Sequence, residues 1–145
     1  MTIELAEVLA MGERFHHVVG TKGSGDDQAA FFLYPEPRIF MLDQADVSLH
    51  GNWEIHQRIG EEHFEWMPGW VITQLNDEPE RARATGAVLW QGQSLDEPTV
   101  MQMICGEDWV VKRVEDGSLR FALYINTFHY PVPGAATVSI RASNS

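Results

Sequence analysis

The sequence predicts an α+β domain with helices on one face of a curved antiparallel sheet. Three observations predict it. Helical spacing of apolar residues dominates the first half, a period of two dominates the second, and the strands of the second half are long enough to bend around a core. A length of 145 residues, with 44% hydrophobic and 21% charged side chains, fits one globular domain over 1–145.

Residues 3–19 read as a helix, with Ile3, Ala6, Leu9 or Ala10, Phe15 and Val18–Val19 near helical spacing and Thr2 as N-cap. Gly12 weakens its middle by about 1 kcal/mol relative to Ala. The segment Gly20–Gly25 reads as a flexible loop. No strand precedes its three glycines and no Lys-Ser/Thr pair follows them, so it is not a phosphate cradle. Asp26 or Asp27 caps a short second helix over 28–33, which Pro35 and Pro37 stop. Arg38–Leu42 and Val47–Gly51 form a hairpin across a polar turn at 43–46. Asn52 then caps a third helix over roughly 53–66, ended by Pro68-Gly69. Strands follow at 70–75, 81–91, 99–114 and 119–130, with Asp116-Gly117 as a hairpin signal before the last. Pro131, Pro133 and Gly134 end it, and 135–145 reads as an irregular cover.

Ten basic against twenty-one acidic residues give a net charge of −11. That sign excludes a protein built to neutralise phosphate, so neither nucleic acid nor an anionic membrane is an expected partner. The single Cys105 makes no intramolecular disulfide and no cysteine-only zinc site. The N-terminus lacks the pattern of a signal peptide and no apolar run is long enough to span a bilayer, so a cytoplasmic location is expected.

Five local motifs carry a resemblance. They are Asp27-Gln28-Ala29-Ala30-Phe31-Phe32-Leu33-Tyr34-Pro35, Leu49-His50-Gly51-Asn52-Trp53-Glu54-Ile55, Glu80-Arg81-Ala82-Arg83-Ala84, the strand Asp108–Arg113, and Glu115-Asp116-Gly117-Ser118-Leu119-Arg120-Phe121-Ala122. In their order and spacing, over about residues 3–130, the chain resembles the nuclear transport factor 2-like superfamily in its polyketide-cyclase-like (SnoaL-like) branch. The resemblance implies a cone-shaped α+β barrel: three N-terminal helices packed in a strongly bent, mostly antiparallel sheet, with a pocket at the wide end. It also implies a homodimer through the outer sheet face. Members include dehydratases, isomerases, cyclases and a dehydrochlorinase, besides non-catalytic subunits, so fold does not settle function.

Several enzymes of that superfamily use a His–Asp pair, with the Asp late in the first helix and the His early on the first long strand. Here the first position falls near Val18–Gly25, without a carboxylate before Asp26, and the second near Gly69–Val71, where Trp70 stands. Other imidazoles are the remaining candidates for proton transfer. His16 and His17 lie late in the first helix, and adjacent helical positions diverge by about 100°, so one faces inward. His129 closes the last strand on the face of Leu119, Phe121, Leu123, Ile125 and Thr127. Arg120, Ala122, Tyr124, Asn126 and Phe128 share the other. His50, His56 and His63 read as surface or rim residues, and Glu61-Glu62-His63 as the solvated face of a helix rather than a metal site.

Of five tryptophans and six methionines, Trp66, Trp70, Trp90 and Trp109 with Met67, Met101 and Met103 lie on or beside the barrel strands. Phe15, Trp66, Trp70, Trp90, Met101, Met103 and Trp109 are the candidate ligand-binding residues, either lining an apolar pocket or filling it. Met101, Met103 and Cys105 share one strand face, and the thiol reads as buried and unreactive. Tyr124, Asn126, Phe128 and Trp90 or Val88 would form an apolar outer patch that a second subunit covers. The expectation is a lyase or isomerase acting on a small apolar, cyclic substrate by His acid–base chemistry, with no cofactor and no metal. The alternative is a non-catalytic homodimeric ligand-binding or assembly module.

Overall fold

The computed structural model describes residues 2–34, 38–40, 47–75, 80–96 and 99–133. The expected 43–46 turn, most of the 76–80 turn and the 135–145 cover lie outside them. Three helices, α1 (Leu5–Gly20), α2 (Gly25–Ala29) and α3 (Leu49–Gln57), accompany β1 (Arg38–Phe40), β2 (Val47–Ser48), β3 (Ile59–Trp66), β4 (Val71–Gln74), β5 (Arg81–Ser94), β6 (Val100–Arg113) and β7 (Leu119–Pro131). The strands form one curled sheet in the order β2-β1-β7-β6-β5-β3, with β4 also on β5. Every pairing is antiparallel except β1 with β7. The expected α+β architecture is present.

Helix α1 starts at Glu4 rather than Thr2: the Glu7 carboxylate accepts the Glu4 N–H at 2.9 Å. Its inner stripe is Val8, Met11, Gly12, Phe15, His16 and Val19. Gly12 is there for packing. A Cβ on it would meet Trp109 at 2.9 Å and Trp66 at 3.0 Å, so the local propensity cost is what lets α1 approach two indole rings.

Several expected boundaries move. Helix α2 begins earlier, because Ser24 and Asp27 form a reciprocal cap. Ser48, not Asn52, caps α3, its hydroxyl accepting from Gly51 N–H at 3.0 Å. Asn52 is buried and donates to Gln28 at 3.2 Å. The largest correction is the expected third helix over 53–66. It ends at Gln57, and 59–66 is strand β3, with Glu61, His63 and Glu65 exposed and Glu62, Phe64 and Trp66 turned inward. Glu61-Glu62-His63 is therefore not a solvated helix face.

Strand β7 is corrected too. Two irregularities in its ladder with β6 leave Ala122 and then Thr127 as extra residues. Each extra residue swaps the two faces. Leu119 and Phe121 face inward as expected, but Tyr124 and Asn126 then replace Leu123 and Ile125 on the buried side. His129 returns to the position opposite Cys105. The expected outer patch loses Tyr124, Asn126, Trp90 and Val88 to the interior and keeps Phe128, which is 42% exposed.

The main core joins α1 and α2 to β5, β6 and β7 through Val8, Met11, Phe15, Ala84, Trp109, Val111 and Phe121, all at most 2% exposed. A smaller cluster of Ile55, Ile59, Trp90 and Met101 ties α3 to the far end of the sheet.

Candidate functional site

The inner face of the sheet carries a run of rings in contact, some stacked, some tilted and one edge-to-face. His16 from α1 lies parallel to Phe64 of β3, with ring centroids 4.3 Å apart and planes at 10°. Trp66 follows at 5.2 Å from His16, then Trp70 at 5.4 Å from Trp66, then Trp109 at 4.9 Å from Trp70. Trp109 in turn stacks on Tyr124 at 5.5 Å. Trp70 holds its place by lying over Gly86, where any Cβ would overlap the indole, and by donating to the Ala87 carbonyl at 3.1 Å. Such ring contacts contribute about 0.5–1.5 kcal/mol each beyond burial.

A buried carboxyl sits at each end of this run. At one end the Glu62 side chain is fully enclosed and every donor around it is oriented toward it. Lys22 Nζ reaches Oε2 at 2.6 Å, Trp90 Nε1 reaches Oε1 at 2.8 Å, and His56 Nδ1 lies 2.7 and 2.9 Å from the two oxygens. Burial alone would raise this carboxyl. The charge and hydrogen bond of His56, then those of Lys22, outweigh it and hold the group below the usual carboxylate range. An ionised carboxylate only accepts, so His56 Nδ1 carries the hydrogen and donates it to Glu62. The His56 side chain is 14% exposed.

At the other end Glu107 is 5% exposed and meets only neutral donors. Trp109 Nε1 and Asn126 Nδ2 both donate to Oε2, at 2.9 and 2.7 Å. Burial pushes the carboxyl up to about 8, and the hydrogen bonds from Trp109, Asn126 and Tyr124 offset only part of that. The same burial raises the Tyr124 phenol well above its ordinary value, and with the Glu107 charge it raises the Cys105 thiol to about 12. Cys105 is half-buried rather than fully buried, and a raised thiol disfavours the reactive thiolate.

Glu62 pairs across the ladder with Gly92, and Glu107 with Gly86. The two carboxyls therefore attach six residues apart along β5, roughly 20 Å of strand. Between them His16 stays neutral: burial, helped by the charge of His56 and opposed by that of Glu62, lowers it to about 3.

Solved structures with the same fold share little sequence with this chain. A scytalone dehydratase-like protein from Novosphingobium aromaticivorans superposes with a TM-score of 0.70 at 10% identity, over 95% of this chain and 91% of that one. A hexachlorocyclohexane dehydrochlorinase from Novosphingobium barchaimii gives 0.67 at 10%, over 92% and 93%. A ketosteroid isomerase-like protein from Erwinia carotovora atroseptica gives 0.63 at 13%, over 86% and 95%. The chain has the nuclear transport factor 2-like fold. No family model matches it, and no curated protein matches its sequence.

Within that cone the expected candidates fall into two groups: His16, Phe15, Trp66, Trp70 and Trp109 come together, and Trp90, Met101 and Met103 form a second cluster, apart from His17 and His129. Phe15, Trp109 and Met101 are buried at 2% or less, and Trp90 is buried over Gly92 against Ile59. Trp66, Trp70 and Met103 are half-buried on the inner side. His16 is inside, His17 is exposed on α1, and His129 is half-buried opposite Cys105. His50 is a surface residue as expected, paired with Glu54 at 3.4 Å with its side chain 70% exposed. His56 is the exception among the expected rim residues, because Glu62 fixes it. Sequence reasoning missed Lys22, His56, Glu62 and Glu107. The alternations Glu62-Phe64-Trp66 and Cys105-Glu107-Trp109 were the available signals for the two carboxyls. Among the described residues no group of three His, Cys, Asp or Glu side chains is arranged to hold a metal ion, and no helix is long and apolar enough to cross a membrane.

Proposed function

We infer that the chain is a small-molecule lyase or isomerase that moves a proton on a small apolar, cyclic substrate. His56 acts as the general base and Glu62 orients it. The supporting observation is the hydrogen bond between His56 Nδ1 and the enclosed Glu62 carboxylate, at the end of a run of ring contacts. A carboxylate on Nδ1 fixes the tautomer and stabilises the imidazolium formed when Nε2 takes a proton. A ring held against Phe64 and Trp66 would lose a carbon-bound hydrogen to Nε2. The C–H electron pair becomes a double bond, and either a leaving group departs with its own pair or a carbonyl oxygen takes up the charge. The first outcome is an elimination, of the kind named for the dehydratase-like and dehydrochlorinase structures; the second begins an isomerisation. His16, neutral and stacked, is part of the wall.

The test is turnover, or deuterium uptake from solvent, across a panel of cyclic ketones and halogenated or hydroxylated rings. His56→Ala should lose about 100-fold or more, the usual worth of a positioned base. His50→Ala, at the surface, should match the parent. Equal rates for His56→Ala and the parent would overturn the assignment.

A second reading is a non-catalytic homodimer that binds a ligand or builds an assembly. The tight seat of Gly12 on Trp66 and Trp109 favours it, as do the exposed Val100, Phe128 and Tyr130 on the outer face, where a second copy would sit. Quenching of tryptophan fluorescence by the same panel, with no turnover, would select it.

A further inference from the structure

Lys22 occupies a backbone position where glycine is the usual residue. Helix α1 ends at Thr21 with the paired hydrogen bonds of a left-handed cap: Gly23 N–H donates to the Val18 carbonyl at 2.8 Å and Lys22 N–H to the Val19 carbonyl at 3.2 Å. In that cap the residue after the C-cap takes positive φ, and here it is Lys22, at φ 65°. A glycine stands one residue later instead, where any Cβ on Gly23 would collide with Val18. The cap alone therefore explains Gly23 and leaves Lys22 unexplained. What the lysine gains is the 2.6 Å contact to Glu62 Oε2, on a carboxylate that also clamps His56.

We propose that Lys22 is a positioning residue for the His56–Glu62 pair, anchoring one carboxylate oxygen so that the other stays on His56 Nδ1. This rests on the reading of that pair as the proton-transfer group, but it is tested without turnover. Glu62 joins three elements by charge: Lys22 follows α1, His56 ends α3, and Glu62 itself is on β3. Trp90 of β5 supplies a neutral donor, and His16 of α1 is the remaining titratable side chain that feels the cluster. Without the ammonium, Oε2 keeps only the longer 2.9 Å contact of His56, and the carboxylate is held through Oε1 alone, by Trp90 and the nearer His56 contact.

The experiment follows the Glu62 side-chain carbon by NMR as pH is varied, and the protonated nitrogen of His56 by its nitrogen–carbon couplings. It compares the parent with Lys22→Met, Lys22→Gly and Lys22→Arg. Lys22→Gly suits the cap and keeps the fold testable should Lys22→Met unfold. In both Lys22→Met and Lys22→Gly the Glu62 midpoint should rise by about one pH unit or more, and the hydrogen on His56 should no longer be confined to Nδ1. Lys22→Arg should restore both. A Glu62 midpoint that does not move in Lys22→Gly would overturn the proposal whatever the turnover. A moved midpoint combined with full activity of His56→Ala would overturn the functional reading and leave this one standing.

Discussion

Glu62 and Glu107 carry the same side chain, face the same side of the sheet and are both withdrawn from water, yet one is held as an anion and the other as a neutral acid. The difference lies in their neighbours. Glu62 is met by an ammonium and an imidazole, Glu107 by an indole, an amide and a phenol. Burial raises both, and only charge brought close reverses the effect. Their attachment points lie six residues apart along β5, so each carboxyl answers to its own neighbours and not to the other.

Replacing each carboxylate by its amide breaks the comparison most directly. Glu62→Gln removes the anion that three donors converge on and leaves the partly exposed Lys22 ammonium unpaired. We expect a loss of about 3 kcal/mol at pH 7, because charge-assisted hydrogen bonds to an enclosed carboxylate are lost. Glu107→Gln should do the reverse. The folded carboxyl, at about 8, lies above its ordinary 4.5, so its contribution is intact below pH 4.5 and is lost as pH rises toward 8. That loss runs at about 1.4 kcal/mol per pH unit. An amide has no such loss, so Glu107→Gln should match the parent near pH 4 and exceed it by on the order of 2–3 kcal/mol at pH 7. Urea unfolding at both pH values measures the pair. Two losses of similar size would mean that the neighbours do not separate the carboxyls.

How much of this could be read beforehand differs by region. Strands β5 and β6 run for fourteen residues each, with buried positions two apart over 88–94 and 107–113, and so long a stretch with period-two segments has no helical competitor. Strand β3 is eight residues long, charged on one face, and preceded by a true helix whose Ile55 continues to Ile59 at helical spacing. Reading one helix through both hid the His56–Glu62 pair, because residues six apart on a helix point away from each other, whereas a turn at Arg58 folds them together. The faces of β7 were legible only up to its first irregularity, since one extra residue exchanges them and leaves no mark in the composition. Lys22 was hidden among glycines that read as a loose loop but include the end of one helix and the start of another.

The ring run between the two carboxyls gives the next largest effect. Gly12→Ala raises helix propensity by about 1 kcal/mol, but its Cβ must displace Trp109 and Trp66, both rings of the shared wall. Overpacking of this kind costs about 1–3 kcal/mol, so we expect a net loss of about 1 kcal/mol in thermal or urea unfolding. A net gain would show that the indoles yield freely and that the wall is not rigid.

The smallest effect at neutral pH tests whether His16 belongs to either end. Its imidazole is neutral and lies flat on Phe64, so His16→Phe should preserve the stack and change stability at pH 8 by less than about 1 kcal/mol. Acidification separates the two proteins. The folded imidazole, at about 3, lies below its ordinary 6.5, so its contribution is present above pH 6.5 and is lost as pH falls toward 3. Relative to the parent, His16→Phe should therefore gain on the order of 2 kcal/mol between pH 8 and pH 5. The sign is opposite to that of Glu107→Gln, whose gain grows with rising pH. The parent is thus squeezed from both sides by two buried groups, one that resists taking up a proton and one that resists losing it. If His16→Phe instead showed the parent's acid limb, His16 would have to be charged inside the fold, and it would then belong with Glu62 as part of the ion cluster rather than with the neutral wall.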